Sequence, residues 1–303
     1  MKKVPFDGEH ITFMAHAINY LKNNGVYTPD VIRTKKGKAF IKLKGEFYVV
    51  FEAVHGKPPK YKYENELEMI LKSLATFHKA SKGIESPTGS FPSFLLTKWK
   101  SDFRNQYKRL LQLKKQVLQA NEHNEFDQLF LLNVDTFLNQ CQTAITMLEH
   151  PSFDLWVEQT ERMKTLCHQD YAAGNLLIGN DHNLYVFDMD SLTVDLPIRD
   201  IRKILNKVMR KEAAWDLKTM IKMMKAYQEV NPLTKEQYHI LAAELFFPHL
   251  FYGQVKQYYG KQDESRPFDY HLLKLKKMIA TEKSKVKVIQ KFLKRLDKVI
   301  GTG

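Results

Sequence analysis

The residues of this 303-residue chain whose types and spacing could do chemistry together lie between positions 168 and 190. His168, Gln169 and Asp170 are followed by Asn175, five residues after Asp170, then by Asp188, 18 residues after Asp170, and by Asp190. Phosphoryl transfer needs groups of these types. One carboxylate accepts or orients the proton of an attacking hydroxyl, while an amide oxygen and a second carboxylate hold Mg²⁺ on the phosphates. Asp170 is the candidate for the first role, and Asn175 and Asp188 for the second. Each aspartate also has a plainer reading as a loop-capping or strand-end residue. His168 is expected to brace the loop by hydrogen bonds rather than to touch substrate. Asp190 reads equally well as a metal-side carboxylate and as structural support.

These groups need elements that hold them together. Two short strands are expected at 176–178 and 184–187, joined by the turn Gly179-Asn180-Asp181. The hairpin interrupts a mainly helical pattern. Near the start, Ile11, Met14, Ala15, Ile18 and Leu21 recur at helical spacing, and Asn24-Gly25 ends a helix expected over 9–23. Strand-like runs follow at 31–32, 39–43 and 47–54. Beyond Pro58-Pro59 the pattern turns to long helices, expected at 65–80, 94–118 and 126–149, and again from 198 onward. The natural division is therefore a small piece, 1–56, and a large helical one, 57–303, with the polar hairpin region 165–190 inside the latter. There is no internal repeat and no low-complexity linker.

Composition narrows the class. At 44% hydrophobic and 27% charged residues the chain is neither disordered nor fibrous, and it can bury a sizeable core. Its two cysteines, Cys141 and Cys167, cannot build a disulfide framework, so a reducing compartment is expected. Cys167 reads as a small core residue. Pro5, Asp7, Glu9 and His10 interrupt any apolar leader, and no stretch approaches the roughly 18 apolar residues of a membrane helix. A soluble, cytoplasmic protein is expected. The net charge of +13 favours polyanions in general. About +8 of it falls within 272–300, where Val286, Ile289, Leu293, Leu296 and Ile300 share one helical face. That segment reads as a helix with solvated lysines in preference to a surface for an acidic partner. Arg202, Lys203, Lys207, Arg210 and Lys211 are likewise read as solvated rather than as contacts to a phosphorylated substrate. Neither zinc-type Cys/His spacing nor a dinucleotide glycine fingerprint occurs.

Beyond the hairpin, four stretches are distinctive: His168-Gln169-Asp170-Tyr171 with Gly174-Asn175, the run Asp195-Leu196-Pro197-Ile198-Arg199-Asp200, the helix from Leu71 to Gly83, and Tyr227 with Pro232-Leu233 and Glu236. Together they resemble the aminoglycoside-phosphotransferase and choline-kinase-like branch of the protein-kinase fold. More narrowly, they resemble the CotS family of spore coat proteins, particularly its spore coat protein I members. The resemblance spans nearly the whole chain.

It implies an α+β, protein kinase-like two-lobed fold with a reduced N-lobe sheet and a large, mainly helical C-lobe. It also implies ATP and Mg²⁺ as cofactors, Asp170 as the catalytic-loop aspartate, and Asn175 and Asp188 as metal ligands. Lys2 is the counterpart of the ATP-binding lysine, Glu52, Ala53 and Val54 face adenine, and Asp200 anchors the catalytic loop from the following helix. His168 and Asp190 support the site. The substrate expected is a small molecule bearing a hydroxyl, contacted from within 94–149. Spore coat proteins are the expected partners, in the mother-cell cytoplasm or the coat itself, with no specific nucleic acid and no membrane span.

Two departures from the branch stand out. It usually has His-Gly-Asp, whereas Gln169 stands in the middle here. The chain also begins late, because Met1-Lys2-Lys3-Val4 resembles the end of the lysine strand, with roughly three dozen residues expected before it in complete N-lobes. An N-lobe short of its first strands should have an exposed sheet edge and a poor nucleotide lid. Two function classes follow: an ATP/Mg²⁺-dependent phosphotransferase, or a coat assembly protein that keeps the fold with little or no catalysis.

Overall fold

The computed structural model describes residues 1–210, 213–260 and 265–301, so Lys211 lies outside the described residues. In chain order the elements begin with β1 (Lys2–Val4), α1 (Gly8–Asn23), β2 (Ile41–Leu43), β3 (Glu46–Val49), β4 (Gly56–Lys57), α2 (Glu64–Ala80) and β5 (Ser93–Phe94). Three helices follow, α3 (Trp99–Leu118), α4 (Glu125–Leu148) and α5 (Pro151–Met163), then β6 (Leu166–Cys167), β7 (Leu176–Gly179), β8 (Leu184–Val186) and β9 (Thr193–Val194). The remainder is helical: α6 (Ile198–Met209), α7 (Leu217–Gln228), α8 (Lys235–Phe246), α9 (His249–Tyr259) and α10 (Phe268–Leu293).

The chain forms two compact units. The first comprises Met1–Leu96, Leu155–Ile204 and Lys222–Pro232. It contains all nine of these strands, in three small sheets ordered β1-β3-β2, β4-β7-β8 and β5-β9-β6. Helix α1 starts because the Asp7 side chain accepts the His10 amide at 3.0 Å, and the chain turns out of it at Gly25, whose φ of +89° suits glycine. Its buried stripe is Ile11, Met14, Ile18 and Leu21, and each such side chain gains about 1.5–3 kcal/mol on burial. In β1, Lys2 pairs with Val49 and Val4 with Phe47. Alternation puts Lys2 on the same face as Val4, which is 1% exposed, so the face that seals the core is also the face that presents the lysine.

Two strand and helix expectations need correction. The run expected over 47–54 remains in its sheet only to Val49. Val50 then accepts the Ile32 amide at 2.8 Å, Phe51 bridges to Val31, and Glu52 donates to the Asp30 carbonyl at 2.8 Å, so the chain changes partners. The helix expected from 94 begins at Trp99. Ser93–Phe94 instead pairs in parallel with Thr193–Val194, and the Leu95 amide reaches the Val194 carbonyl at 3.3 Å. Strand β4 pairs with β7, and only a glycine at position 56 permits it, since a Cβ there would run into the Ile178 carbonyl. The expected break after residue 56 thus lies inside the first unit.

The second unit comprises Thr97–Asp154, Leu205–Ile221 and Leu233–Gly303 and is helical. Helix α4 opens with a capping box between Asn124 and Asp127. Its core is aromatic: Phe130 stacks on Phe251, Phe137 lies 4.1 Å from Phe251 between ring centroids, and Phe103 lies 4.3 Å from Phe247. Helix α10 buries Leu272, Leu275, Met278, Ile279, Ile289 and Phe292, while Val286 is only half-buried. Lys285 departs from the solvated-lysine reading. It is fully buried, paired with Glu282 one turn earlier, and lies within 3.3 Å of the Phe247 carbonyl. Among the described residues, no helix is long and apolar enough to cross a membrane.

Candidate functional site

All the candidate groups lie in the first unit. The loop after β6 is built on Asp200, in the first turn of α6. Its carboxylate accepts the His168 amide at 2.6 Å and the Gln169 amide at 2.9 Å, and His78 of α2 approaches at 3.3 Å. Burial alone would raise the Asp200 pKa. Hydrogen bonding and charge from His78, with His168 and Lys203 nearby, outweigh burial and hold it below the usual carboxylate value. The Asp195 side chain accepts the Leu196 amide at 2.8 Å and pairs with Arg199, fixing the entry into α6.

His168 is fully buried. Its Nε2 lies 2.8 Å from the Phe187 carbonyl, which can only accept, so that nitrogen carries the proton. Nδ1 is then free to accept the Asp170 amide at 3.3 Å. Burial pushes the imidazole pKa down, against the pull of Asp200, which suits a neutral ring. The histidine thus ties the loop to the strand end that precedes Asp188 and leaves no nitrogen for a substrate. Tyr171 is buried too, with its hydroxyl on Ser73 at 2.7 Å, and the Ala173 amide donates to the Tyr61 hydroxyl at 2.8 Å.

Asp170 itself is exposed. The Asn175 side-chain amide donates to the Asp170 carbonyl at 2.9 Å and to its carboxylate at 3.0 Å. That orientation turns the Asn175 side-chain oxygen away from Asp170. The Asn175 backbone carbonyl accepts the Phe187 amide at 2.9 Å, which sets Asp188 beside the loop. Asp188 has φ 62°, a left-handed conformation uncommon for a residue with a Cβ and often found where a site imposes it. Lys2, 186 residues before Asp188, places its ammonium 2.7 Å from Asp188 and 2.5 Å from Asp190. Burial works against the Lys2 charge, but the two carboxylates outweigh it and raise the lysine pKa. Asp190 is the more buried carboxylate, and burial raises its pKa despite Lys2. One Asp190 oxygen, Oδ1, is buried without a hydrogen-bond partner.

Hard oxygen donors gathered around one ammonium, with a buried carboxylate oxygen left over, suit a divalent cation of the Mg²⁺ type. Glu52, Ala53 and Val54 line a cavity of about 600 Å³ together with Tyr27, Thr28 and Tyr185. Among the described residues lining it, none is Lys2, Asp170, Asn175 or Asp188. A second cluster, His78, Cys167 and Asp200, brings its ligand-type atoms within 4.8 Å of one another. Its groups are engaged otherwise: Cys167 donates to the Leu196 carbonyl at 3.2 Å, and burial pushes its thiol pKa well up. The cluster is a structural knot under the loop.

Lys203 differs from its sequence reading. It is not a solvated cation; its ammonium binds the Gln169 carbonyl at 2.5 Å and the Gln169 side-chain oxygen at 2.7 Å. The available signal was spacing, since Asp200 and Lys203 are three residues apart and share one helical face. His78 was visible only as part of a distinctive helix.

The sequence model of the family described as spore coat putative kinase YutH matches residues 1–292. Spore coat protein S of Bacillus subtilis (strain 168) is 29% identical over 291 residues, covering 96% of this chain and 82% of that protein. The aminoglycoside phosphotransferase from Alicyclobacillus acidocaldarius subsp. acidocaldarius DSM 446 superposes with a TM-score of 0.81 at 18% identity, covering 99% of this chain and 86% of that one. Spectinomycin phosphotransferase, solved in complex with ADP and spectinomycin, gives a TM-score of 0.58 at 17% identity and covers 92% and 83%. At these identities the structural likeness speaks for the fold, which is the α+β protein kinase-like one.

Proposed function

The chain belongs to the spore coat putative kinase YutH family, and from that premise we propose that it is an ATP- and Mg²⁺-dependent phosphotransferase acting on a small hydroxyl-bearing substrate. One observation carries the reading. A continuous set of contacts links Asp170, Asn175, the Phe187 amide, Asp188 and Lys2, although Lys2 and Asp188 stand 186 residues apart in sequence. In this reading Asp170 orients the substrate hydroxyl and receives its proton, and its exposure lets a substrate reach it. The Asn175 side-chain amide steadies that carboxylate.

Asp188 and the Asn175 side-chain oxygen would hold the metal, which supplies positive charge to the phosphates when bound. Lys2 would move from the carboxylates toward phosphate oxygens as the nucleotide enters. Ala53 and Val54 are the backbone candidates for an adenine edge, with Glu52 beside them, since the Glu52 amide is already engaged by Asp30. His168, Asp190 and Asp200 keep these groups in place. Residues 1–56 thus contribute the lysine and the adenine-side backbone, and residues 57–303 the catalytic loop and metal ligands.

The coat description of both the family and its relative supports a spore coat location, with synthesis in the mother-cell cytoplasm and coat proteins as partners. The same description favours a second reading, a kinase-fold protein serving coat assembly without catalysis. Transfer of the terminal phosphoryl group of ATP to a panel of small hydroxyl compounds separates the two. Asp170→Asn should lower turnover about 10²–10⁴-fold with nucleotide binding retained. Equal turnover in that variant would remove Asp170 from its role, and no transfer with no nucleotide binding would leave the assembly reading.

A further inference from the structure

Gln169 has φ 71°, so a residue with a Cβ occupies the left-handed region in the middle of His168-Gln169-Asp170. Such a conformation persists only where its surroundings hold it. Helix α6 holds this one from both sides. Asp200 takes the Gln169 amide at 2.9 Å, and Lys203 takes its carbonyl at 2.5 Å and its side-chain Oε1 at 2.7 Å. The two α6 residues are three apart and lie on one face, so a carboxylate and an ammonium grip the amide and carbonyl of a single residue. The Gln169 Nε2 is buried without a partner, so the contact of this side chain with Lys203 runs through its oxygen alone. The carbonyl that Lys203 binds belongs to the peptide bond leading directly into Asp170.

We propose that Lys203 is a positioning residue that locks Gln169 in its left-handed conformation and thereby sets the direction of the Asp170 carboxylate. A glycine at this position would need no such clamp, because it adopts a left-handed backbone readily. The consequence for turnover rests on the phosphotransferase reading; the clamp itself does not. Lys203 is half-buried, and burial lowers its pKa although Asp200 pulls the other way. The clamp rests on geometry: the ammonium reaches two oxygens of the one residue, the Gln169 carbonyl and its side-chain Oε1.

The test is a double-mutant cycle of Lys203→Met and Gln169→Gly in the full chain, read by backbone hydrogen exchange over 166–175 and by phosphoryl transfer from ATP. Lys203→Met should speed exchange in the loop and lower kcat, each by about tenfold or more, with KM for ATP changed less than about twofold. Adding Gln169→Gly should return both readouts to within about threefold of the wild type, because glycine adopts this conformation without a clamp. A loss that glycine fails to rescue, or no loss in Lys203→Met, overturns the proposal. Should Lys203→Met alone fail to fold, Gln169→Gly is compared with the double variant: equal exchange supports the clamp, and faster exchange in the double variant refutes it. An absence of transfer in the wild type would count against the phosphotransferase reading, while rescue of exchange by glycine would still support the clamp and its failure would still overturn it.

Discussion

Two non-glycine residues of the candidate site, Gln169 and Asp188, have left-handed backbones, with φ of 71° and 62°, and the protein holds them by opposite means. Around Gln169 the partners are withdrawn from water: Asp200 is 0% exposed and Lys203 is half-buried. Around Asp188 the partner is Lys2, and the two side chains are 40% and 41% exposed. A buried hydrogen-bonded network is rigid and costly to break, whereas an exposed ion pair contributes about 0–1 kcal/mol. On the proposed function, the loop half of the site is built in advance, and the half proposed to take the metal is held by a contact that a cation and nucleotide would replace at little cost.

The sharpest way to break this contrast is Asp200→Ala. It strands two backbone amides and the Nε2 of His78 in the interior and should destabilise the first unit by about 3–5 kcal/mol, measured from urea unfolding midpoints. A loss under about 1 kcal/mol would erase the distinction between the two halves.

Next comes pH. Burial holds the His168 pKa below its ordinary 6.5, so the folded chain resists protonation that the unfolded chain accepts. Stability should be fully present above 6.5 and fall by about 1 kcal/mol per unit as pH drops below it, levelling off under the folded pKa. His168→Gln, which can still donate to the Phe187 carbonyl, should flatten that slope. An unchanged slope would separate His168 from the effect.

Smallest of the three is Lys2→Met, expected to alter stability by less than about 1 kcal/mol because water already reaches the ammonium. A loss as large as that of Asp200→Ala would mean that the metal half is as rigidly built as the loop.

Periodic segments were the most legible from residues alone. The helix expected over 9–23 is Gly8–Asn23, that over 65–80 is Glu64–Ala80, and that over 126–149 is Glu125–Leu148, because local spacing and caps decide them. Pairings between distant segments were not legible. Nothing local to Phe51 announces that it leaves its sheet for Val31, and the two-residue strand at Ser93–Phe94 exists only because Thr193–Val194 lies beside it. Within the site, the spacing of Asp170, Asn175 and Asp188 drew attention to all three. Lys2 is singled out by the family resemblance alone, and no pattern in the residues between announces that it reaches Asp188 and Asp190. Lysines misled twice. Lys203 and Lys285 both sit in basic stretches, yet each turns inward to a specific oxygen partner, and an acidic residue three positions earlier was the available clue in each case.

The central claim, that Asp170, Asn175, Asp188 and Lys2 form a site for ATP with a divalent cation, is tested most directly by titration calorimetry of ATP with and without Mg²⁺, in the wild-type chain and in Asp188→Asn. The account predicts Mg²⁺-dependent binding by the wild type and an affinity about tenfold or more lower in Asp188→Asn, a change of about 1.4 kcal/mol or more. Absence of nucleotide binding by the wild type, or the same Mg²⁺-dependent affinity in both proteins, would contradict it.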